Sequence, residues 1–297
     1  MFIDSHVHGI HADKDASGKL VPPLQIAWHA KGLVPNEGYK EITPEDYIEI
    51  SKKEYGVEKV VLLDPPDLTF KLKEIFKDYV IAVPMVDIDS ITPDEINALF
   101  KRGAVGIKFI VPSKSYGDDS YFPLYAAIAA NHGLAVFHTG FVLVGRFEPL
   151  GWDPRKTIVN ITDMRPAALD RIARAFPDLK MLMAHFGNPW WEEAWKMCAS
   201  HKNIYADLSG GTCYRRSMDM WAQIFSPDGK LDTAAAGKLC FGTDAGYFTR
   251  DVKNEKESVK EIMDFYFRFM ERLKVPEELR QKICRNNILM LTDINEK

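Results

Sequence analysis

The feature that most limits how this chain can fold is a repeated order. Short apolar, β-rich runs alternate with amphipathic stretches along nearly the whole sequence. The runs fall at residues 2–8, 57–64, 80–86, 104–110, 134–139, 179–185, 204–209 and 238–242. Each is rich in Val, Ile, Leu and Phe, and nearly continuous in apolar character. Such runs suit parallel strands covered on both faces. Between them, Thr43-Pro44-Glu45-Asp46 and Thr92-Pro93-Asp94-Glu95 each offer a Thr cap, a Pro in the first turn and acids at the positive end of a helix dipole. Further helices are expected at 123–132 with Gly133 as the stop, at 165–176, 190–201, 258–273 and 277–291, with a shorter one near 70–76. Eight strands alternating with helices in 297 residues predict an α/β fold, a (β/α)8 TIM barrel closed by a C-terminal helix. The competing arrangement is an open doubly wound sheet, and no strand is followed by the Gly-x-Gly-x-x-Gly turn that would favour it.

A chain of this length with 46% hydrophobic residues can bury one large core, so a single domain over 1–297 is expected. Residues 10–42, with Pro22-Pro23, Trp28 and His29, form a long excursion after the first strand and read as a lid over the barrel mouth. The formal charge of -4 is evenly mixed, so no basic face for nucleic acid is expected. No stretch approaches the ~20 apolar residues of a membrane helix. The opening residues lack a basic segment before an apolar one, so no signal peptide is expected. Cys198, Cys213, Cys240 and Cys284 are scattered without a Cys-x-x-Cys pair, which suits buried thiols in a reducing cytoplasm and argues against cysteine ligation of a metal.

The first run reads FIDSHVHG. On a strand, His6 and His8 face the same way with Cα atoms within ~7 Å of each other, close enough to share one metal ion. Barrels of this type carry their sites at the C-terminal ends of the strands. There, strand five (LAVFHTG) ends in His138, strand six (LKMLMAHFG) in His185 and strand eight (KLCFGTDAG) in Asp244. Four of the eight histidines therefore sit at strand ends, each closely followed by a glycine that allows a sharp turn. Histidines and a carboxylate at one rim suit one divalent ion, Zn²⁺ before Mn²⁺, Fe²⁺ or Co²⁺. Such an ion lowers the pKa of a bound water to ~7, and a nearby carboxylate can take and redeliver the proton.

The sequence resembles the amidohydrolase superfamily, and within it the amidohydrolase-related branch that includes aminocarboxymuconate semialdehyde decarboxylase-like enzymes. The likeness covers nearly the whole chain. It rests on FIDSHVHG, GAVGIKF, AVFHTG, MLMAHFG, NIYADLSG, FGTDAG and the closing ICRNNILML. The resemblance implies that His6, His8, His138 and Asp244 are metal ligands and that Asp244 also accepts a proton from water. It implies that His185 is either a further ligand or the group that polarises the substrate, so the catalytic roles fall on Asp244 and His185. In some members of the superfamily a strand-four lysine is carboxylated and bridges two metals. The branch resembled here implies one metal, with Lys108 a buried cation beside it.

Other residues invite plainer readings. Asp4, Asp64, Asp87 and Asp207 lie on or at the ends of strands, and hydrogen bonding to loop amides or to a histidine suffices for each. His132 and His201 close helices, while His11 and His29 fall in the long first loop. Phe265, Tyr266, Phe269 and Leu273 share one helical face, as core or as the interface of a homodimer. Arg146, Trp190, Tyr247 and Arg250 follow the ligand-bearing strands and are candidates to bind a small, carboxylate-bearing substrate. Trp191, Arg215 and Arg216 are candidates of the same kind, since arginine pairs with carboxylates and tryptophan suits planar rings. Two reactions fit: hydrolysis of a small amide, lactone or ester, and, as the alternative, metal-dependent non-oxidative decarboxylation of an aromatic or unsaturated acid.

Overall fold

Strand β1 (Phe2–His8) enters the middle of a parallel sheet. The computed structural model describes residues 1–8, 13–14, 20–21, 51–142, 160–210, 213–246 and 252–294. Most of the 10–42 segment expected to form a lid, together with Arg146, Tyr247 and Arg250, lies outside them. Within that stretch, β2 (Asp13–Lys14) and β3 (Leu20–Val21) pair antiparallel. The remaining strands are β4 (Val57–Leu62), β5 (Val80–Ala82), β6 (Met85–Val86), β7 (Gly106–Phe109), β8 (Leu134–His138), β9 (Lys180–Ala184), β10 (Ile204–Asp207), β11 (Leu239–Cys240) and β12 (Ala245–Gly246).

These form two parallel arcs, β12-β1-β4-β5 and β6-β7-β8-β9-β10-β11. The expected third strand is β5 plus β6, and the expected eighth contains β11, with β12 following just beyond it, so each position hands the sheet from one arc to the other. At the first seam stands Pro84, which has no N–H to donate. Val83 N–H still reaches Leu62 O (3.2 Å), Met85 N–H reaches Asp64 O (2.7 Å), and Pro84 O accepts from Lys108 N–H (2.9 Å). At the second, Ser5 N–H donates to Phe241 O and Asp244 N–H to His6 O, both at 2.8 Å. The eight strand positions run in chain order, the arrangement of a (β/α)8 barrel.

Strand β1 departs from simple alternation. Its pairing with β4 shifts register between Phe2 and Ile3 and again between Asp4 and Val7. Ile3 packs into one core cluster and Val7 into the other, although four residues apart they would share a face of a regular strand. The smaller cluster is built from Ile3, Val61, Ile81, Leu134, Val136 and Leu182 with Ile288 and Leu291. It fills the barrel, and the last helix floors it. The larger cluster packs strands against the surrounding helices.

The helices are α1 (Pro66–Ile75), α2 (Pro93–Lys101), α3 (Phe122–Ala130), α4 (Ala168–Ala175), α5 (Trp191–Ser200), α6 (Met218–Phe225), α7 (Thr233–Ala236), α8 (Val252–Arg272), α9 (Glu277–Gln281) and α10 (Asn287–Thr292). The expected helix at 277–291 is thus two short helices joined by a π-turn at Lys282–Asn286. Asn287 Nδ2 donates to Gly237 O (2.9 Å) and Leu239 O (2.7 Å), which pins α10 beneath the start of β11. Helix α6 is not apparent from the sequence. Ser217 Oγ caps it by accepting from Met220 N–H at 3.2 Å. Its Trp221 and Phe225 are fully buried against Phe265 and Phe269 of α8. The aromatic stripe of α8 is therefore core.

At the start of α2, Thr92 Oγ1 accepts from Glu95 N–H (3.3 Å), and Glu95 Oε2 accepts from Thr92 N–H (2.8 Å). This reciprocal cap matches the sequence signature. Thr92→Ala is expected to destabilise the protein by about 1 kcal/mol, measured by urea denaturation with an unchanged m-value.

Candidate metal centre

His8, His138 and Asp207 are the last residues of β1, β8 and β10, so the site forms at the C-terminal rim. His6 and His8 face one side as expected, with ring centroids 5.4 Å apart. Asp244 Oδ1 lies 3.4 Å from His6 Nε2 and 3.5 Å from His8 Nε2. The ligand atoms of His6, His8 and Asp244 all lie within 4.8 Å of one another. Three of the four predicted ligands therefore converge. The fourth, His138, is placed against His185, with Nδ1 3.1 Å from His185 Nε2 and ring centroids 4.5 Å apart. The His185 ring in turn lies 4.7 Å from His6.

The backbone aims these groups in an unusual way. His185 (φ 63°) and Asp244 (φ 60°) both sit in the left-handed region, which side chains other than glycine seldom adopt and which clusters at functional sites. Gly140 (φ +97°) lets the turn after His138 touch the loop after β9, since a Cβ there would lie 2.0 Å from Asn188 O. Gly210 (φ +89°) leaves room for His185, whose Nδ1 would be 2.6 Å from an added Cβ.

Three of the four imidazoles, those of His6, His138 and His185, have one nitrogen committed away from the centre. His6 Nδ1 donates to Asp207 Oδ2 (3.0 Å). His138 Nε2–H donates to Phe141 O (3.2 Å), and His185 Nδ1–H to Ser209 O (3.2 Å). That leaves lone pairs on His6 Nε2, His138 Nδ1 and His185 Nε2. His6 Nε2 is buried with no hydrogen-bond partner among the described residues. The lone pairs of His138 and His185 face each other at 3.1 Å, a contact relieved by a proton shared between the rings or by a cation beside both. These orphaned acceptors, with the Asp244 carboxylate, fit a divalent cation.

Charge distribution agrees. Burial, then the nearby Lys108 amine, lowers His6 to about 3, and Asp207 only partly offsets them. Burial also holds His138 well below its usual range and lowers His185. His8 differs: burial opposes its charge, but Asp244 and Asp64 outweigh it and raise His8 to about 9. Burial works against ionisation of Asp244, yet the surrounding His185, His8 and His6 keep its carboxyl well below the usual range. Lys108 is 1% exposed, and burial lowers it to about 8 despite Asp207 and Asp244. Its Nζ has no hydrogen-bond partner among the described residues.

Trp190, proposed to meet substrate, is partly buried and carries the Arg165 guanidinium over its ring at 5.1 Å. Asp4 binds the amides of His6 (3.1 Å) and Thr243 (3.0 Å), the structural role expected of it. His201 Nε2 contacts Asp170 Oδ1 at 2.9 Å on the surface of the helical layer. Two residues with larger roles than the sequence suggests are Asp207 and Ser209, which contact both His6 and His185. Their signal is the D-x-S spacing at the end of strand seven.

A parallel barrel with imidazoles and a carboxylate gathered at its C-terminal rim defines an enzyme scaffold suited to a divalent ion. The sequence model described as amidohydrolase matches residues 79–291, and the chain belongs to the amidohydrolase family. No curated protein matches the sequence. Solved structures share the fold. An uncharacterised TIM-barrel protein from Bordetella bronchiseptica aligns over 98% of both chains, with a TM-score of 0.66 and 17% identity. A probable 2-pyrone-4,6-dicarboxylic acid hydrolase from Acinetobacter baumannii, with citric acid bound, aligns over 99% of both chains (TM-score 0.56, 12% identity). A dihydroxybenzoic acid decarboxylase from Polaromonas sp. JS666, holding manganese and 2-nitroresorcinol, covers 100% of this chain and 98% of its own (TM-score 0.61, 13% identity). No helix among the described residues is long and apolar enough to cross a membrane.

Proposed function

We propose that the protein is a metal-dependent hydrolase acting on a small amide, lactone or ester. The observation that carries this reading is the convergence of His6 Nε2, His8 Nε2 and Asp244 Oδ1 at one point on the barrel rim. His6, His8 and Asp244 would hold the ion, with His138 and His185 completing its surroundings; zinc suits this donor set best, and manganese next. When bound, the ion supplies Lewis acidity that brings the pKa of water to ~7. Asp244, kept ionised beside three histidines, takes and returns the proton at its carboxylate. His185, whose Nε2 lone pair faces the centre, would be a further ligand to the ion rather than a donor to the substrate. Free cysteines among the described residues suit a reducing cytoplasm.

A second reading, non-oxidative decarboxylation of an aromatic or unsaturated acid, is favoured by Lys108. Decarboxylation needs a positive group for the carboxylate and a proton to replace carbon dioxide. Lys108 is a buried, unpartnered amine lowered to about 8, so it is charged at neutral pH yet gives up its proton more readily than a free lysine. One experiment separates the readings. The purified protein is analysed for metal, then offered a lactone, ester and amide panel beside a carboxylate panel monitored for carbon dioxide. Hydrolysis without carbon dioxide release, at about one ion per chain, is the expected result. Carbon dioxide release alone replaces it with the second reading, and inactivity of the metal-loaded protein on both panels overturns both.

A further inference from the structure

Strand β10 ends in Asp207, and Ser209 follows two residues later. Both side chains are fully buried between two histidines that arrive on different strands, His6 on β1 and His185 after β9. Asp207 Oδ2 lies 3.0 Å from His6 Nδ1. Asp207 Oδ1 accepts from His185 N–H (2.9 Å), from Ser209 N–H (3.0 Å) and from the Ser209 hydroxyl. Four donors thus hold this carboxylate, three on Oδ1 and His6 on Oδ2, although Asp207 also lies close enough to His6 and His185 to form a ligand group with them.

The direction of every hydrogen bond follows. A carboxylate has no proton to give, so His6 Nδ1 must donate to it. The Ser209 hydroxyl spends its one hydrogen on Asp207, which leaves Oγ an acceptor 3.1 Å from His6 Nδ1 and 3.0 Å from His185 Nδ1. The Ser209 carbonyl is a further acceptor for His185 Nδ1 at 3.2 Å. Everything that faces the two Nδ1 atoms is an acceptor, so both carry their hydrogen there. Both Nε2 atoms then point lone pairs at the centre, and His6 Nε2 is one of the orphaned buried atoms.

We propose that Asp207 and Ser209 are positioning residues that fix the tautomers of two metal-binding histidines at once. One D-x-S step on β10 holds His6 and His185 as Nδ1–H imidazoles, with their Nε2 lone pairs ready for a divalent cation. The consequence for metal binding rests on the metal-centre reading above; the tautomers themselves do not.

Asp207→Asn tests this with little change of shape. The amide oxygen can still accept the backbone N–H groups of His185 and Ser209, which turns the amide NH2 towards His6 Nδ1. Facing that NH2, His6 Nδ1 is expected to accept rather than to donate to Ser209 Oγ, and the proton moves to Nε2, closing the lone pair that faces the centre. Long-range ¹H–¹⁵N correlation spectra of the metal-free protein, labelled at its histidine nitrogens, read this directly. Wild type is expected to show His6 and His185 as Nδ1–H, and Asp207→Asn to invert His6 alone. Zn²⁺ or Mn²⁺ affinity, measured by competition with a chromophoric chelator, is expected to fall ~10- to 100-fold in Asp207→Asn and by less in Ser209→Ala. A wild-type His6 already protonated on Nε2 overturns the proposal, and that spectrum needs no variant to fold. An inverted His6 with unchanged metal affinity overturns it as well. Failure of wild type to bind either ion instead defeats the metal-centre reading, while the spectra still decide the tautomers.

Discussion

His6→Ala and Asp244→Asn are each expected to reduce turnover by on the order of 10³-fold or more, with the folded circular dichroism signal unchanged. Lewis-acid stabilisation is worth several kcal/mol of the barrier, and ~4 kcal/mol corresponds to ~10³-fold in rate. Among the described residues, His6 Nε2 makes no hydrogen bond, and Asp244 Oδ1 forms its ion-pair contacts with the two imidazoles at 3.4 and 3.5 Å. Removing Asp244 therefore costs ligation more than packing, while His6→Ala also takes one donor from the buried Asp207 carboxylate without touching the strand pairing of the barrel. Metal content should drop well below one ion per chain in both variants. Loss of the folded signal in both would show that these side chains hold the barrel rather than an ion.

Lys108→Met should make the metal-free protein more stable at pH 7. Burial lowers the amine from 10.5 to about 8, so folding at neutral pH forces a charge into a site that disfavours it. At 1.36 kcal/mol per pH unit the cost is about 3 kcal/mol. Because the folded value lies below the unfolded one, the penalty is complete below pH 8. It is relieved as pH climbs from about 8 towards 10.5, where the unfolded chain also loses the proton. The native protein should thus gain stability over that window, whereas Lys108→Met should be more stable at pH 7 and show no such rise. Denaturation midpoints at pH 7 and pH 9.5 measure both effects. A variant less stable than its parent at pH 7 would show that the amine has a favourable partner in the fold.

Much of the fold and the site is legible in the sequence, and the reasons are local. His6 and His8 can be paired because a strand has period two, and the bulge in β1 does not separate them. Asp244 can be placed with them because a barrel gathers its strand ends. The cap of α2 is written in Thr92 and Glu95. What stays hidden depends on contacts distant in sequence. That Asp207 serves His6 and His185 together requires β1, β9 and β10 to meet at one rim, and spacing along the chain does not say which ring nitrogen a carboxylate will hold. The apposition of His138 and His185 likewise depends on where two turns point, not on where two strands end. Pro84 is visible as a break in an apolar run, but its meaning as a seam appears only once both neighbours of that strand are known.

The second seam bears on the order of events during synthesis. Strand β1 precedes the other described strands in the chain, yet one of its two flanks is covered from residues 241–246, where Val7 pairs with Ala245 and His8 with Gly246. A nascent chain that has not emerged past that point carries β1 with an open edge, the kind of template on which chains self-associate. Ring closure is therefore a late event in the life of each molecule. Truncation before residue 245 should yield aggregates rather than a smaller folded protein.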